Sequence, residues 1–102
     1  PQFVEAARNL AEHAMHSNQA LDDQVDYMTS RLIARKFGPK EKEVVARSYA
    51  DFLNYYQSHK ADASKLLTVG ESKADATLPV DKFAALTVLA NELFNLDEVL
   101  NK

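Results

Sequence analysis

The chain has 102 residues, of which 46% are hydrophobic and 26% are charged, and its net charge is −3. This length and balance predict one folded domain with its own hydrophobic core and exclude a disordered chain. The lack of cysteine excludes disulfides, thiolate metal sites, iron–sulfur clusters and covalently attached haem within these residues. The acidic balance argues against a nucleic-acid or membrane-surface binder, and no segment approaches the ~20 apolar residues of a membrane span.

The first 59 residues show apolar side chains at helical spacing in three long segments, about 2–17, 20–37 and 40–59. Gly38 is predicted to end the second helix in a left-handed conformation, and Pro39 either stops that helix or starts the next one. The third segment is rich in tyrosine and phenylalanine, which predicts a helix packed almost as deeply as the last one. The chain begins at Pro1 without an initiator methionine, so we expect a fragment of a longer protein.

The second half contains one short helix and one long one. Asp62 is predicted to cap a short helix over 63–69, which Gly70 closes. A polar loop over 71–78 ends at Pro79, and Asp81 suits the first turn of the final helix. From Phe83 to Leu100 apolar residues cover more than half of the helix circumference, which is typical of a central helix. We therefore predict an all-α fold: a compact bundle of four main helices and one short helix, with the final helix central.

Two clusters resemble metal sites without completing one. His13 and His16 share a helix face and could bind zinc or copper, but the pattern indicates no third ligand. Asp22, Asp23 and Asp26 lack the glycine-bearing turn of a calcium loop and fit the start of a helix better. We predict no metal and no cofactor in this fragment.

Half of the basic residues lie around Gly38, on both sides of a helix–Gly-Pro–helix junction. This arrangement raises a helix-turn-helix nucleic-acid binder as an alternative. The acidic net charge, the interruption by Glu41 and Glu43, and the length of both helices oppose it. A solvated face with ion pairs along each helix is the favoured interpretation.

The polar residues at the end of the final helix form a signature: Asn95, Asp97 and Glu98. Asp97 lies where the apolar pattern should continue, and a buried carboxylate needs hydrogen bonds or a charged partner. We interpret Asp97 as a structural anchor that accepts backbone amides or pairs with an arginine, for which Arg8, Arg31, Arg35 and Arg47 are candidates. Asp97 and Glu98 point in different directions on a helix, so they are poorly placed for paired acid–base catalysis, and we predict no catalytic residue.

Several short patterns resemble one known family. LLTVGES (66–72) followed by LPVDKFAALTVLANELFNLDEVL (78–100), with PQFVEAARNLAEHA (1–14) and RLIARKFGPKEKEV (31–44), is similar to the carboxyl end of the planctomycete-specific C-terminal domain of unknown function. That domain occurs in large exported proteins together with planctomycete cytochrome c-type domains. Its recurring NLDE matches Asn95, Leu96, Asp97 and Glu98. Family domains are longer, so the resemblance implies that residues before Pro1 belong to the same protein.

The resemblance implies a periplasmic or extracellular location and a haem-bearing domain elsewhere in the parent protein. It supplies no catalytic residue. Our leading hypothesis is a non-catalytic structural or interaction module that contacts other domains of the same parent protein. One alternative is an accessory part of an enzyme active site that processes extracellular polymers or takes part in redox chemistry. The helix-turn-helix binder is the second alternative.

Overall fold

The structure is a computed structural model that describes residues 3–70 and 72–100, and in the last helix it describes side chains as far as residue 96. Five helices follow one another: α1 (Val4–Ser17), α2 (Leu21–Leu32), α3 (Pro39–Ser58), α4 (Lys60–Leu67) and α5 (Val80–Leu100). Within the described ranges there is no strand, and no helix combines the length and hydropathy needed to cross a membrane. The predicted all-α bundle of four long helices and one short helix is confirmed.

α5 is the centre of the bundle and contacts each of the other four helices. Five consecutive residues, 83–87, are buried, and five residues span the full circumference of a helix. Full burial of a side chain such as Phe83 stabilises the fold by about 1.5–3 kcal/mol. Thr87 is also fully buried, and its hydroxyl donates to the carbonyl of Phe83 at 2.8 Å, so it leaves no polar atom unsatisfied. The prediction of a central final helix is confirmed.

α1 packs against α5 through three alanines. Ala7, Ala11 and Ala14 are completely buried, and their spacing places them on one face of the helix. Because alanine is small, the two helix backbones can approach closely along this face. Val25 and Met28 of α2 complete this part of the core.

The prediction that Gly38 ends the second helix is wrong. α2 already ends at Leu32, and Ala34 takes the left-handed conformation with a φ of 58°. Gly38 is extended, with φ −74° and ψ 174°, and is the N-cap of α3, with Pro39 as the first helical residue. The side chain of Glu41 accepts the Gly38 amide at 2.9 Å, which satisfies a backbone donor at this helix start.

α3 is not deeply packed, contrary to the prediction from its aromatic residues. It has no fully buried residue: Tyr49 and Leu53 are half-buried, while Val44 is 56% and Tyr55 48% exposed. Because α5 is enclosed by four partners, α3 covers only one of its sides and leaves its own outer side in solvent. The tyrosine pattern indicated an amphipathic surface helix rather than a buried one.

The short helix begins earlier than predicted, at Lys60, and Asp62 does not cap it. Asp62 lies in the first turn, where its carboxylate accepts the hydroxyl of Tyr55 from α3 at 2.7 Å. Gly70 has the predicted left-handed conformation, with a φ of 92°, three residues after α4 ends. Asp81 is the first-turn acid of α5, as predicted.

We predict that Ala34→Gly stabilises the protein by about 0.5–1 kcal/mol, because glycine adopts a positive φ without the steric cost that alanine has. The free energy of unfolding should be measured by urea denaturation. Ala50→Gly is the matched control, since Ala50 is exposed in the middle of α3 and its replacement should destabilise by about 1 kcal/mol. Destabilisation by both substitutions would contradict the assignment of strain to Ala34.

Candidate functional site

Arg8 is completely buried on α1, and its guanidinium holds the chain that follows α4. Nη1 donates to the carbonyl oxygens of Leu67 at 3.0 Å and Val69 at 2.9 Å. Nη2 donates to the carbonyl oxygen of Ser72 at 2.8 Å and also to its hydroxyl. Leu67 is the last residue of α4, where carbonyl groups lack helical partners and carry partial negative charge. The buried positive charge is therefore compensated by backbone dipoles.

Glu5 lies one helical turn before Arg8 and binds a backbone amide of the same loop. Its Oε2 accepts the Ser72 amide at 2.8 Å and the Ser72 hydroxyl at 2.9 Å. The loop passes so close that a Cβ on Gly70 would lie 2.2 Å from Cδ of Glu5. The positive φ favours glycine at position 70, and a larger residue there would also displace the side chain of Glu5.

Glu12 and His16 extend the same contact toward the end of α1. Oε1 of Glu12 accepts the amide of Asp75 at 2.9 Å, and Nε2 of His16 lies 2.8 Å from Oδ2 of Asp75. Thr77 donates its hydroxyl at 2.6 Å and its amide at 2.8 Å to Oδ1 of Asp75. These two bonds from Thr77, and then the neighbouring His16, lower the pKa of Asp75.

We call this set of α1 residues, Glu5, Arg8, Glu12 and His16, the clasp. Their spacing of three and four residues puts them on one side of α1, roughly opposite the buried alanine face. α1 therefore joins the core on one side and the loop between α4 and α5 on the other. In the described part of the chain the clasp groups are directed at backbone or loop partners, which is a structural role.

The second feature is a concave surface that we call the end groove, with a volume of about 540 Å³. Four segments meet there: the end of α1 with the turn after it, the start of α2, the middle of α3 and the start of α5. Its lining residues are Met15, Asn18, Gln19, Leu21, Gln24, Tyr49, Leu53, Leu78, Pro79 and Lys82. The groove is open to solvent, and its walls are mainly apolar.

The floor of the end groove consists of half-buried apolar side chains, including Met15, Leu21 and Leu53. Tyr49 is also half-buried, and burial, followed by the nearby charge of Asp81, raises the pKa of its hydroxyl. That hydroxyl therefore stays protonated and available as a hydrogen-bond donor. The groove could bind an apolar group through its floor and polar atoms at its edge.

The predicted signature residues do not form a described site. Asn95 is exposed on α5. Asp97 and Glu98 belong to the last turns of α5, but their side chains lie outside the described part of the structure. The role of Asp97 as a structural anchor therefore stays a prediction.

Each arginine proposed as a partner for Asp97 has a contact elsewhere. Arg8 belongs to the clasp, and Arg31 lies over the ring of Tyr27, 3.5 Å from its centroid. Arg35 forms two hydrogen bonds with Glu41, at 2.9 and 3.1 Å, and Arg47 lies 3.7 Å from Glu43. The acids that interrupt the basic cluster around Gly38 thus pair with two of its arginines.

The acidic cluster at the start of α2 also forms an ion pair. Lys42 of α3 lies 2.9 Å from Asp26 and 3.7 Å from Asp22, and the hydrogen bond to Asp26 raises the pKa of Lys42. This contact links α2 to α3. Within the described residues no group of three histidine, aspartate or glutamate side chains is arranged to hold a metal ion. His16 contacts Asp75, while His13 is exposed.

Comparison with known proteins gives no relative: no protein family, curated protein or solved structure matches the chain. The resemblance to the planctomycete domain stays a prediction that depends on its short sequence patterns.

Sequence reasoning missed the clasp and the end groove. From the sequence, Arg8 is one possible partner of Asp97 and His16 is one of two possible metal ligands, and neither role leads to the loop. The spacing of Glu5, Arg8, Glu12 and His16 was the available signal, because it marks a second, polar stripe on α1. Such a stripe normally faces solvent, so it does not identify the loop that covers it.

We predict that Arg8→Met destabilises the protein by about 3 kcal/mol, because several carbonyl groups lose their donor at once. Arg8→Lys should recover only part of this loss, since an ammonium cannot match the planar fork of the guanidinium. Urea unfolding measures both. Arg47→Met is the control, because its exposed pair with Glu43 contributes about 0–1 kcal/mol. A cost below about 1 kcal/mol for Arg8→Met would exclude the proposed role of the clasp.

We predict that the free energy of unfolding falls at acidic pH, in part because Glu41 and Asp75 become protonated. The hydrogen bonds from Arg35 and then from the Gly38 amide lower the pKa of Glu41 from 4.5 to about 2. The pKa of Asp75 is also lowered from 3.8. Both pKa values are lower in the folded state, so each contribution is present above the ordinary pKa and is lost as the pH falls through the folded value.

Urea unfolding between pH 6 and pH 2 measures this loss of stability. Glu41→Gln and Asp75→Asn should each flatten the loss of stability below about pH 4.5. Asp51→Asn is the control, since Asp51 is exposed on α3 and forms no ion pair with the described residues. Parallel curves for all of these variants and the parent sequence would contradict the assignment.

Proposed function

We propose that this chain is a non-catalytic helical module of a longer protein, and that it contacts other domains of that protein through the end groove. The observation that carries the proposal is the groove itself. It gathers half-buried apolar side chains from four segments into one concave surface that remains open to solvent. Concave, mainly apolar surfaces with a few polar groups are typical of binding sites.

The distribution of the other exposed apolar residues favours the groove over a flat surface patch. Val44 and Tyr55 are the most exposed large apolar residues of α3. Eleven residues separate them, which corresponds to about 16 Å along a helix. Phe3 is half-buried and stacks on Phe94, with ring centroids 5.4 Å apart. Scattered apolar residues are normal on a surface, whereas the groove concentrates them.

The polar clusters support a structural rather than a catalytic role. Both terminal nitrogens of Arg8 and the carboxylates of Glu5 and Glu12 bind the loop, and His16 contacts Asp75, so these groups are engaged in the folded domain. Among the described clasp atoms, Nε of Arg8 is buried without a hydrogen-bond partner. Two of the basic residues near Gly38 pair with acids of α3: Arg35, from the turn before that helix, with Glu41, and Arg47 with Glu43. These pairs favour a solvated face over a nucleic-acid interface. No described contact favours the alternative of an enzyme active site.

The sequence resemblance supplies the setting of this proposal. It implies a large exported protein in the periplasm or outside the cell, with a haem-bearing domain elsewhere in that protein. In that setting the module would fix the arrangement of its neighbours. Its own folding depends on the clasp, while its contact surface is the end groove on a separate part of the bundle.

Photo-crosslinking in the full-length protein tests the proposal. The photoreactive residue p-benzoylphenylalanine should replace Gln19, which is exposed and lines the groove. We expect crosslinks to other domains of the same protein, identified by mass spectrometry. The same residue at Asn54, exposed on α3 outside the groove, is the control. Equal crosslinking from both positions, or none from Gln19, would refute the groove as the contact surface.

A further inference from the structure

We infer that the occupant of the end groove is a peptide segment with an aliphatic side chain next to an acidic residue. This inference depends on the proposed function, in which the groove is the contact surface, and adds the chemistry of the partner. It follows from one charge, one buried amide and the apolar floor.

The charge at the groove is positive. Lys82 is the sole charged residue among those that line it, and the described residues provide no ion-pair partner for its ammonium. The chain as a whole has a net charge of −3, so this local positive charge departs from the general balance. Complementary charge across an interface steers the partner and fixes its orientation. A carboxylate on the partner would satisfy Lys82.

A buried amide provides a directional contact. Gln24 is only 8% exposed, and its Nε2 donates to the backbone carbonyl of Asn18 at 3.0 Å. This bond fixes the side chain and leaves Oε1 as an acceptor at the groove, without a donor among the described residues. A peptide backbone has amide hydrogens that can donate to this oxygen, whereas a free fatty acid has an aliphatic chain and no such donor at neutral pH. The amide therefore favours a peptide over a lipid.

The floor accounts for the aliphatic part. Leu21, Leu53 and Leu78 are half-buried around a volume of about 540 Å³, which lies within the roughly 300–1,000 Å³ typical of binding pockets. An aliphatic side chain placed there would remove these leucines from water. Burial of apolar surface supplies the attraction, and the polar groups select the partner.

One acid opposes this arrangement. Asp81 precedes Lys82 on α5, and its charge reaches the groove because it raises the pKa of Tyr49. Asp81 itself lines a different hollow, together with Lys60, Ser64 and Val80. Its negative charge weakens the attraction between Lys82 and a carboxylate of the occupant, although Asp81 does not line the groove. Asp81→Asn should therefore increase the affinity of an acidic occupant.

Three matched peptides test the inference on the folded chain: N-acetyl-Leu-Leu-Glu-amide and the same peptide with glutamine or lysine in place of glutamate. Nuclear magnetic resonance titration follows the methyl groups of Leu21, Leu53 and Leu78. We expect the glutamate peptide to bind about threefold more tightly than the glutamine peptide, and the lysine peptide to bind most weakly, as exposed charge pairs allow. Lys82→Glu should reverse this order. Lys60→Glu, a charge reversal outside the groove, should leave the order unchanged.

The outcomes separate this inference from the proposed function. Equal affinities for the three peptides, or an unchanged order in Lys82→Glu, would overturn the acidic partner while the groove could still be the contact surface. Tighter binding of octanoate than of the glutamate peptide would overturn the choice of a peptide in favour of a lipid. Failure of the Gln19 crosslink in the full-length protein would instead remove the proposed function itself.

Discussion

A buried guanidinium binds the described residues of the loop between α4 and α5. The loop between α4 and α5 exposes backbone carbonyls that no helix satisfies, and Arg8 donates to carbonyls at Leu67, Val69 and Ser72. The charge of Arg8 would be costly to bury alone, and the carbonyls would be costly to leave without donors. The carbonyls therefore stabilise the buried charge of Arg8, and the guanidinium supplies the donors that the carbonyls need. Glu5 completes the arrangement by accepting the amide of Ser72.

The clasp also explains how so small a domain supports an exposed groove. α1 has a buried alanine face on one side and the clasp on the other, so it is fixed between α5 and the loop. The loop leads directly to Leu78 and Pro79 at the start of α5, and both residues line the end groove. The position of the groove wall thus depends on the contacts that α1 makes with this loop. Stability and binding are separated on the surface but connected through one loop.

The amino-acid sequence predicted the helical architecture because its signals are local. A helix that is apolar on all sides marks α5 as central, and Gly70 and Asp81 have the predicted conformation and position. The predicted end of α2 was wrong because the residue with a positive φ is Ala34. Alanine rarely takes this conformation, so the residue type does not indicate the end of the helix. Gly38 is the residue type that commonly ends a helix in a left-handed conformation, but its backbone is extended.

The clasp and the end groove could not be predicted in the same way, since they join residues that are distant in the chain. The hydrogen bonds that Arg8 donates to the loop, and those that Glu5 accepts from it, span 59 to 67 residues. During synthesis, α1 leaves the ribosome long before Ser72 is made. At about 5–20 residues per second, an interval of 67 residues corresponds to roughly 3–13 s in which the charged side of α1 lacks its final partners. Arg8 and Glu5 therefore reach their loop partners only after the carboxyl half of the chain has emerged.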